Sequence, residues 1–194
     1  FKSGTQRTFD FVVAADGIRS RTRDLVFGSE IQIRELSLYM AYLTIPRLAS
    51  DSNWAHWYNA PGGRAMLLRP DNVGTMRASL SFLSDPCGYE ALPLSEQKEV
   101  IRNKFNDAGW IAPRILATVD QSPDIYFDSI GQVKAPTFSR GRVALLGDAA
   151  YCPSPISGMG TSLAFVGAYI LAGELARCSD YREAFLNYEK LMRP

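Results

Sequence analysis

Histidine occurs once in this 194-residue chain, at His56, and cysteine three times, at Cys87, Cys152 and Cys178. That scarcity excludes ordinary zinc chemistry, because no CxxC pair or His cluster supplies ligands at the required spacing. An odd number of cysteines cannot all pair within one chain, which points to a reduced, cytoplasmic setting. Charge of one sign is also lacking: 21 Lys and Arg stand against 20 Asp and Glu, a formal net charge of +1. The basic residues are dispersed, so neither nucleic acid nor an anionic membrane surface is an expected partner. Long apolar runs are absent too. The longest uncharged one, Thr161–Gly173, has 13 residues. A bilayer-spanning helix needs roughly 20, so this stretch reads as a buried core helix. The opening residues, Phe1-Lys2-Ser3-Gly4, lead into a polar turn rather than the apolar stretch of a signal peptide. There is no initiator Met, and 8–15 (TFDFVVAA) reads as a strand already inside a fold, after a hairpin turn at Lys2-Ser3-Gly4-Thr5. The chain therefore reads as a fragment.

What is present is enough to build a core: 46% of the residues are hydrophobic. The first strand ends at Asp16-Gly17 and is followed by a short helix from Ser20 to Val26. From Leu36 to Ser84 the pattern changes to strand-like pieces rich in aromatic and β-branched residues, separated by Pro, Gly, Asn and Asp: an antiparallel sheet. A helix N-capped by Ser95 and reaching Asp107 follows, then a second from Trp110 to Val119. DIYFDSIGQVKAPTFS reads as another strand and its exit, and Arg142–Leu146 as a fully apolar strand. Gly160–Arg177 and Tyr181–Leu191 close the chain as helices. Strand–helix, sheet, then strand–loop–helix implies an α/β domain in two outer pieces with an α+β insert between them.

Two constellations carry chemistry. In RVALLGDAAYCPSPISGMGTSL a buried strand delivers Gly147-Asp148 at its C-terminal end, where open α/β sheets bind ligands. Pro153 and Pro155 stiffen the next loop. Gly158-Met159-Gly160-Thr161 then opens a helix, which lets backbone approach a ligand and aims free N–H groups at it. A carboxylate there suits polyol hydroxyls, and a helix N-terminus suits delocalised negative charge. In FVVAADGIRSRTR, Asp16 and Gly17 end a strand, Ser20 is placed to cap a helix, and Arg23 to bind phosphate or an acidic side chain.

Together these motifs resemble the FAD-dependent aromatic hydroxylases, the class A flavoprotein monooxygenases typified by p-hydroxybenzoate hydroxylase. Asp16, Gly17, Ser20 and Arg23 match the family's Asp-Gly motif; Gly147, Asp148, Pro153, Gly158 and Gly160 match its Gly-Asp motif. The resemblance implies a partial FAD-binding, Rossmann-like domain (1–35 and 136–194) around an antiparallel-sheet substrate domain (36–135). It implies FAD as cofactor and NAD(P)H as co-substrate, with an aromatic or polyketide-like substrate hydroxylated with O₂ through a flavin hydroperoxide. Those nine residues, with Met159 and Thr161, are the candidate cofactor-binding set. Asp148 would hold the ribityl chain, Pro153 would lie over the isoalloxazine edge, and the helix at Gly160 would face the flavin's negative charge. No residue is assigned a catalytic role.

Rival readings are a same-fold flavoprotein dehydrogenase, reductase or halogenase, and an inactive scaffold module. In NWAHWYN, alternation puts Trp54, His56 and Tyr58 on one sheet face and Trp57 on the other, a possible aromatic substrate wall or ordinary packing. Cys152 reads as a small buried hydrophobe. The Phe165, Tyr169 and Ala172 spacing reads as helix core. The family's GxGxxG, which binds the FAD pyrophosphate, is not in these residues; Gly158-Met159-Gly160 has Leu163 where the third glycine would fall. The 194-residue chain by itself is therefore expected to purify without flavin. A 1:1 flavin content with the absorption bands of bound oxidised flavin would contradict this.

Overall fold

The computed structural model describes residues 3–122 and 125–193. Lys2, in the expected hairpin turn, and Asp124, in the expected later strand, lie outside the described residues. The chain falls into two compact units, Phe1–Arg34 with Gly131–Pro194, and Glu35–Ile130.

The second unit is built on a five-stranded sheet. Its strands are β2 (Ile33–Pro46), β3 (His56–Ala60), β4 (Arg64–Pro70), β5 (Thr75–Leu83) and β6 (Tyr126–Val133), in the order β3-β4-β5-β2-β6. Antiparallel registers pair Ala41 with Leu80 and Met66 with Leu80. Because strand side chains alternate between faces, Tyr39, Ala41, Leu43 and Ile45 point the same way as Met66 and Leu68 and as Met76, Ala78, Leu80 and Phe82. All of these are buried. Helices α2 (Leu94–Phe105) and α3 (Ala112–Val119) contribute Ile101, Phe105, Ile115 and Val119 to the same core. Phe82 sits at its centre, with ring centroids 5.5 Å from Tyr39, 6.2 Å from Phe127 and 6.3 Å from Phe105. The opposite face carries the alternate residues, including Tyr42, Leu67, Arg69 and Arg77.

The first unit holds a three-stranded sheet, β1 (Val12–Ala14), β7 (Ser139–Arg140) and β8 (Val143–Leu145), in the order β1-β8-β7. Here β1 runs parallel to β8. The helices are α1 (Arg21–Phe27), α4 (Asp148–Tyr151), α5 (Gly160–Arg177) and α6 (Tyr181–Met192). Phe27, Leu145, Leu171, Phe185 and Tyr188 form its core, and the Tyr188 hydroxyl donates to the Leu145 carbonyl at 3.0 Å. Among the described residues, no helix is long and apolar enough to cross a membrane.

Several expectations need correction. The strand expected over 8–15 is confined to Val12–Ala14, because its partner β8 begins only after the turn at Gly141. Phe11 instead packs on Tyr181 and Phe185. Ser95 lies inside α2, whose N-cap is Pro93. Helix α3 starts at Ala112 rather than Trp110, since Trp110 has φ +48, outside the right-handed helical region. Trp54 precedes β3, so it shares no strand face with His56 and Tyr58.

The largest correction concerns α5. Phe165 is 73% and Tyr169 83% exposed, and Ala172 is exposed too, so this spacing marks the outer face of the helix. The inner face is Gly167, Leu171 and Glu174. A Cβ on Gly167 would collide with the Tyr151 hydroxyl, and that close approach selects the buried side. A helix apolar on every side has no periodicity that could reveal it.

Truncating Phe82 removes a buried ring from the centre of the second unit. Phe82→Ala is expected to destabilise it by about 3–5 kcal/mol, read from urea unfolding.

Candidate functional site

The parallel pairing of β1 with β8 aligns Val12 with Val143 and Ala14 with Leu145. Their C-terminal ends are therefore neighbours, and the Asp16-Gly17 and Gly147-Asp148 loops emerge side by side. The Ala14 carbonyl accepts the Leu146 N–H at 2.9 Å, which extends the pairing to the loops' mouth.

The first loop is held by its own polar groups. Ser20, fully buried, caps α1 by accepting the Arg23 N–H at 3.0 Å, and its hydroxyl donates to Asp16 Oδ1. Asp16 Oδ2 accepts from the Thr22 N–H at 3.1 Å and the Thr22 hydroxyl at 3.0 Å. Burial pushes the Asp16 pKa up, but the Ser20 and Thr22 donors outweigh it and hold the carboxyl below its ordinary 3.8. Thr22 was missed from sequence; an acidic residue six positions before a threonine at a helix start is too weak a pattern. Gly17 takes φ +84, which the turn requires.

Arg23 is 2% exposed. Its guanidinium donates to the Ile18 carbonyl at 2.8 Å and the Ala149 carbonyl at 3.5 Å, and pairs with Asp24 at 3.2 Å. Of the two partners considered from sequence, phosphate or an acidic side chain, the geometry supplies the acid. Arg23 thus ties the two motif loops together from beneath, as a positioning residue.

The second loop is stiff. Gly147 has φ +62, and a Cβ there would come within 3.3 Å of the Ala164 Cβ on α5. Asp148 opens α4. The Pro153 carbonyl accepts the Gln132 side-chain amide at 3.2 Å, and the Ser157 hydroxyl donates to the Ser154 carbonyl at 2.8 Å. Ser154 is buried with φ +79, a left-handed conformation that costs a non-glycine residue energy and concentrates at ligand sites. Neither Gln132 nor Ser154 could be picked out from sequence, because backbone strain leaves no signature there. Cys152 is buried as a small hydrophobe, and burial pushes its thiol pKa up.

Gly158, at φ +66, turns the chain into α5. Gly160 itself has helical backbone, and a Cβ placed on it would lie 3.7 Å from Asp148 Oδ1. The Asp148 carboxylate therefore lies within contact distance of the first residue of α5, where glycine adds no side chain. The N-cap, Met159, has no side-chain oxygen to cap the first-turn N–H groups, and Met159 and Thr161 are exposed. Such an arrangement suits a flat ligand with negative charge at one end and hydroxyls at the other. Among the described residues no group of His, Cys, Asp and Glu could hold a metal.

In the second unit, a cavity of about 820 Å³ opens on the sheet face away from the core, lined by Tyr42, Leu67, Arg69, Arg77 and Tyr126 among others. His56 is exposed, its Nε2 2.6 Å from the Ser52 hydroxyl, and it does not line this cavity. Trp57 lies on the exposed face, as alternation required, with its indole N–H on Asn59.

The FAD binding domain family model matches residues 2–184. A flavin-dependent monooxygenase of Legionella longbeachae serogroup 1 (strain NSW150) is 40% identical over 195 residues, covering 100% of this chain and 50% of that protein. The flavin-dependent monooxygenase eupH of a Phoma species is 35% identical over 215 residues, covering 98% of this chain and 49% of its own length. Among solved structures, tetracycline destructase Tet(55) superposes with a TM-score of 0.88 at 37% identity, covering 100% of this chain and 52% of that one. Klebsiella pneumoniae HpxO complexed with FAD and uric acid gives a TM-score of 0.77 at 22% identity, over 98% of this chain and 49% of that one, a likeness of fold. The chain spans about half the length of the curated relatives it matches.

The Asp16 cluster carries a pH signature. Its folded pKa lies below the unfolded value, so its stabilisation is present above pH 3.8 and is lost as pH falls through the folded pKa. Asp16→Asn should lower the urea midpoint near neutral pH and remove this part of the acid limb; an acid limb identical to wild type would contradict the assignment.

Proposed function

The chain belongs to the FAD binding domain family, and from that premise we propose that it is the flavin- and substrate-binding part of an FAD-dependent, NAD(P)H-using monooxygenase that hydroxylates an aromatic or polyketide-like small molecule. The observation that carries the reading is the contact-distance approach of Asp148 to Gly160, the first residue of α5. The strained Ser154 loop beside them supports it.

The residues fit FAD. Asp148 would accept hydrogen bonds from the ribityl hydroxyls, and Pro153 would hold the ring edge. Gly158 and Gly160, which carry no side chains, would let the ring approach the backbone. The N–H groups of Gly160, Thr161 and Ser162 would serve its electron-rich carbonyl end, since a helix terminus stabilises negative charge by roughly 0.3–2 kcal/mol. Asp16, Gly17 and Ser20 shape the neighbouring loop, and Arg23 locks it to the Ala149 carbonyl. When bound, FAD supplies the redox and oxygen-activating chemistry; the protein orients it and limits water around it. The cavity beside Tyr42 and Tyr126 is the substrate's place in this reading, and its volume of about 820 Å³ falls within the roughly 300–1,000 Å³ usual for small-molecule sites. The relation to tetracycline destructases favours a polycyclic phenolic substrate over a single ring.

The test uses the full-length protein containing this chain. Asp148→Ala is expected to weaken FAD by about 1.5–3 kcal/mol, the range for hydrogen bonds to a charged group, in a flavin fluorescence titration. Unchanged affinity would remove Asp148 from the site.

A further inference from the structure

In the loop between α4 and α5, Ser154 takes φ +79 and ψ 155. Glycine occupies that region almost alone, because a Cβ there crowds the neighbouring peptide groups. The residue is nonetheless a serine, and it is 4% exposed. Both of its backbone polar groups are engaged. The carbonyl accepts the Ser157 hydroxyl at 2.8 Å and the Ser157 N–H at 3.3 Å. The N–H meets the Cys152 thiol: burial pushes that thiol's pKa up, the Ser154 N–H works against this, and the Asp148 carboxylate adds to it. The Cys152 sulfur therefore lies beside both Ser154 and the carboxylate that approaches the start of α5.

The hydroxyl is different. It makes no hydrogen bond to any described residue. A buried hydroxyl without a partner is unfavourable, and so is the backbone that carries it. Glycine at this position would remove both penalties at once. The surroundings nevertheless hold the turn as it is. Gln132 donates its side-chain amide to the Pro153 carbonyl at 3.2 Å, and the Gly158 N–H bonds the Pro155 carbonyl at 3.1 Å. Upstream, the Val133 N–H bonds the Cys152 carbonyl at 3.0 Å and the Ala135 N–H the Ala150 carbonyl at 2.9 Å. A clamped donor with no protein acceptor is fixed before any ligand arrives, so binding costs it little further freedom.

We infer that Ser154 is a ligand-binding residue of this site: its hydroxyl donates a hydrogen bond to the flavin ring, and the strained backbone holds it in place for that bond. Naming flavin as the ligand rests on the reading above, which gives the Ser154 hydroxyl no task. The chemistry is complementary to that of Asp148. An ionised carboxylate only accepts, so it serves ligand hydroxyls, whereas a serine hydroxyl donates to a ring carbonyl or ring nitrogen. Stability is given up at Ser154 in exchange for binding, as is usual where a site needs a strained residue.

The experiment uses the full-length protein containing this chain, with FAD as the probe and two variants. Ser154→Ala keeps the Cβ, and with it the strain, but removes the hydroxyl; Ser154→Gly removes both. In fluorescence titrations each should bind FAD about ten-fold more weakly than wild type, the effect of one lost hydrogen bond. In urea unfolding of the flavin-free protein, the Ser154→Gly midpoint should lie above that of Ser154→Ala, because only glycine relaxes the backbone. The absorption bands of the flavin that Ser154→Ala still binds should be displaced from their wild-type positions, which a purely structural role would leave unmoved. Ser154→Ala with wild-type affinity and band positions would overturn the inference, as would a Ser154→Gly midpoint no higher than that of Ser154→Ala. Reduction of the bound flavin by NADH and NADPH is followed on the same samples. A flavin-loaded wild type reduced by neither, with the Ser154→Ala loss of affinity still present, would sink the monooxygenase reading and support this inference. Normal reduction with unaltered flavin binding in Ser154→Ala would do the reverse.

Discussion

The pairing of β1 with β8 is the constraint on which the candidate site depends. Parallel strands cannot be joined by a tight turn; they need a crossover. In this chain the crossover contains the whole of the second unit, Glu35–Ile130. Three paired residues on each strand are therefore enough to bring together two loops that are remote in sequence. Everything at the site follows from that register. Asp148 stands beside the start of α5, the Ala149 carbonyl comes within reach of Arg23, and Gly147 closes against Ala164.

Polar groups in the first unit divide into those that build the site and those left open at it. Asp16, Ser20, Thr22 and Arg23 satisfy one another and the nearby backbone, and they hold the loops at fixed positions. A buried guanidinium is tolerable only because each of its faces meets a carbonyl or a carboxylate. Among the described residues the first turn of α5 has no such side-chain cap. The strain at Ser154 sits next to that open turn, where a loop clamped by Gln132 and Ser157 can sustain it.

The second unit uses the two faces of one sheet for two purposes. Large apolar residues at alternate positions of β2, β4 and β5 bury themselves against α2 and α3, with Phe82 at the centre of the ring cluster. The intervening positions are then obliged to face the other way, so the same alternation that makes the core also sets Tyr42, Leu67, Arg69 and Arg77 around a cavity.

The local chemistry was legible in the sequence by itself: the antiparallel pieces between Leu36 and Ser84, the apolar strand before Gly147-Asp148, the span of α5, the Ser20 cap and the glycines at 158 and 160. These depend on period-two alternation, on caps and on backbone freedom, all of which act within a few residues. Tertiary structure decided the rest. It turned Phe165 and Tyr169 outward, because the close approach of Tyr151 to Gly167 chose which side of a uniformly apolar helix is buried. It gave Arg23 to Asp24 and two carbonyls. It also set Arg69 opposite Arg77, since a cross-strand neighbour is fixed by register, and register is set by the packing of the entire face.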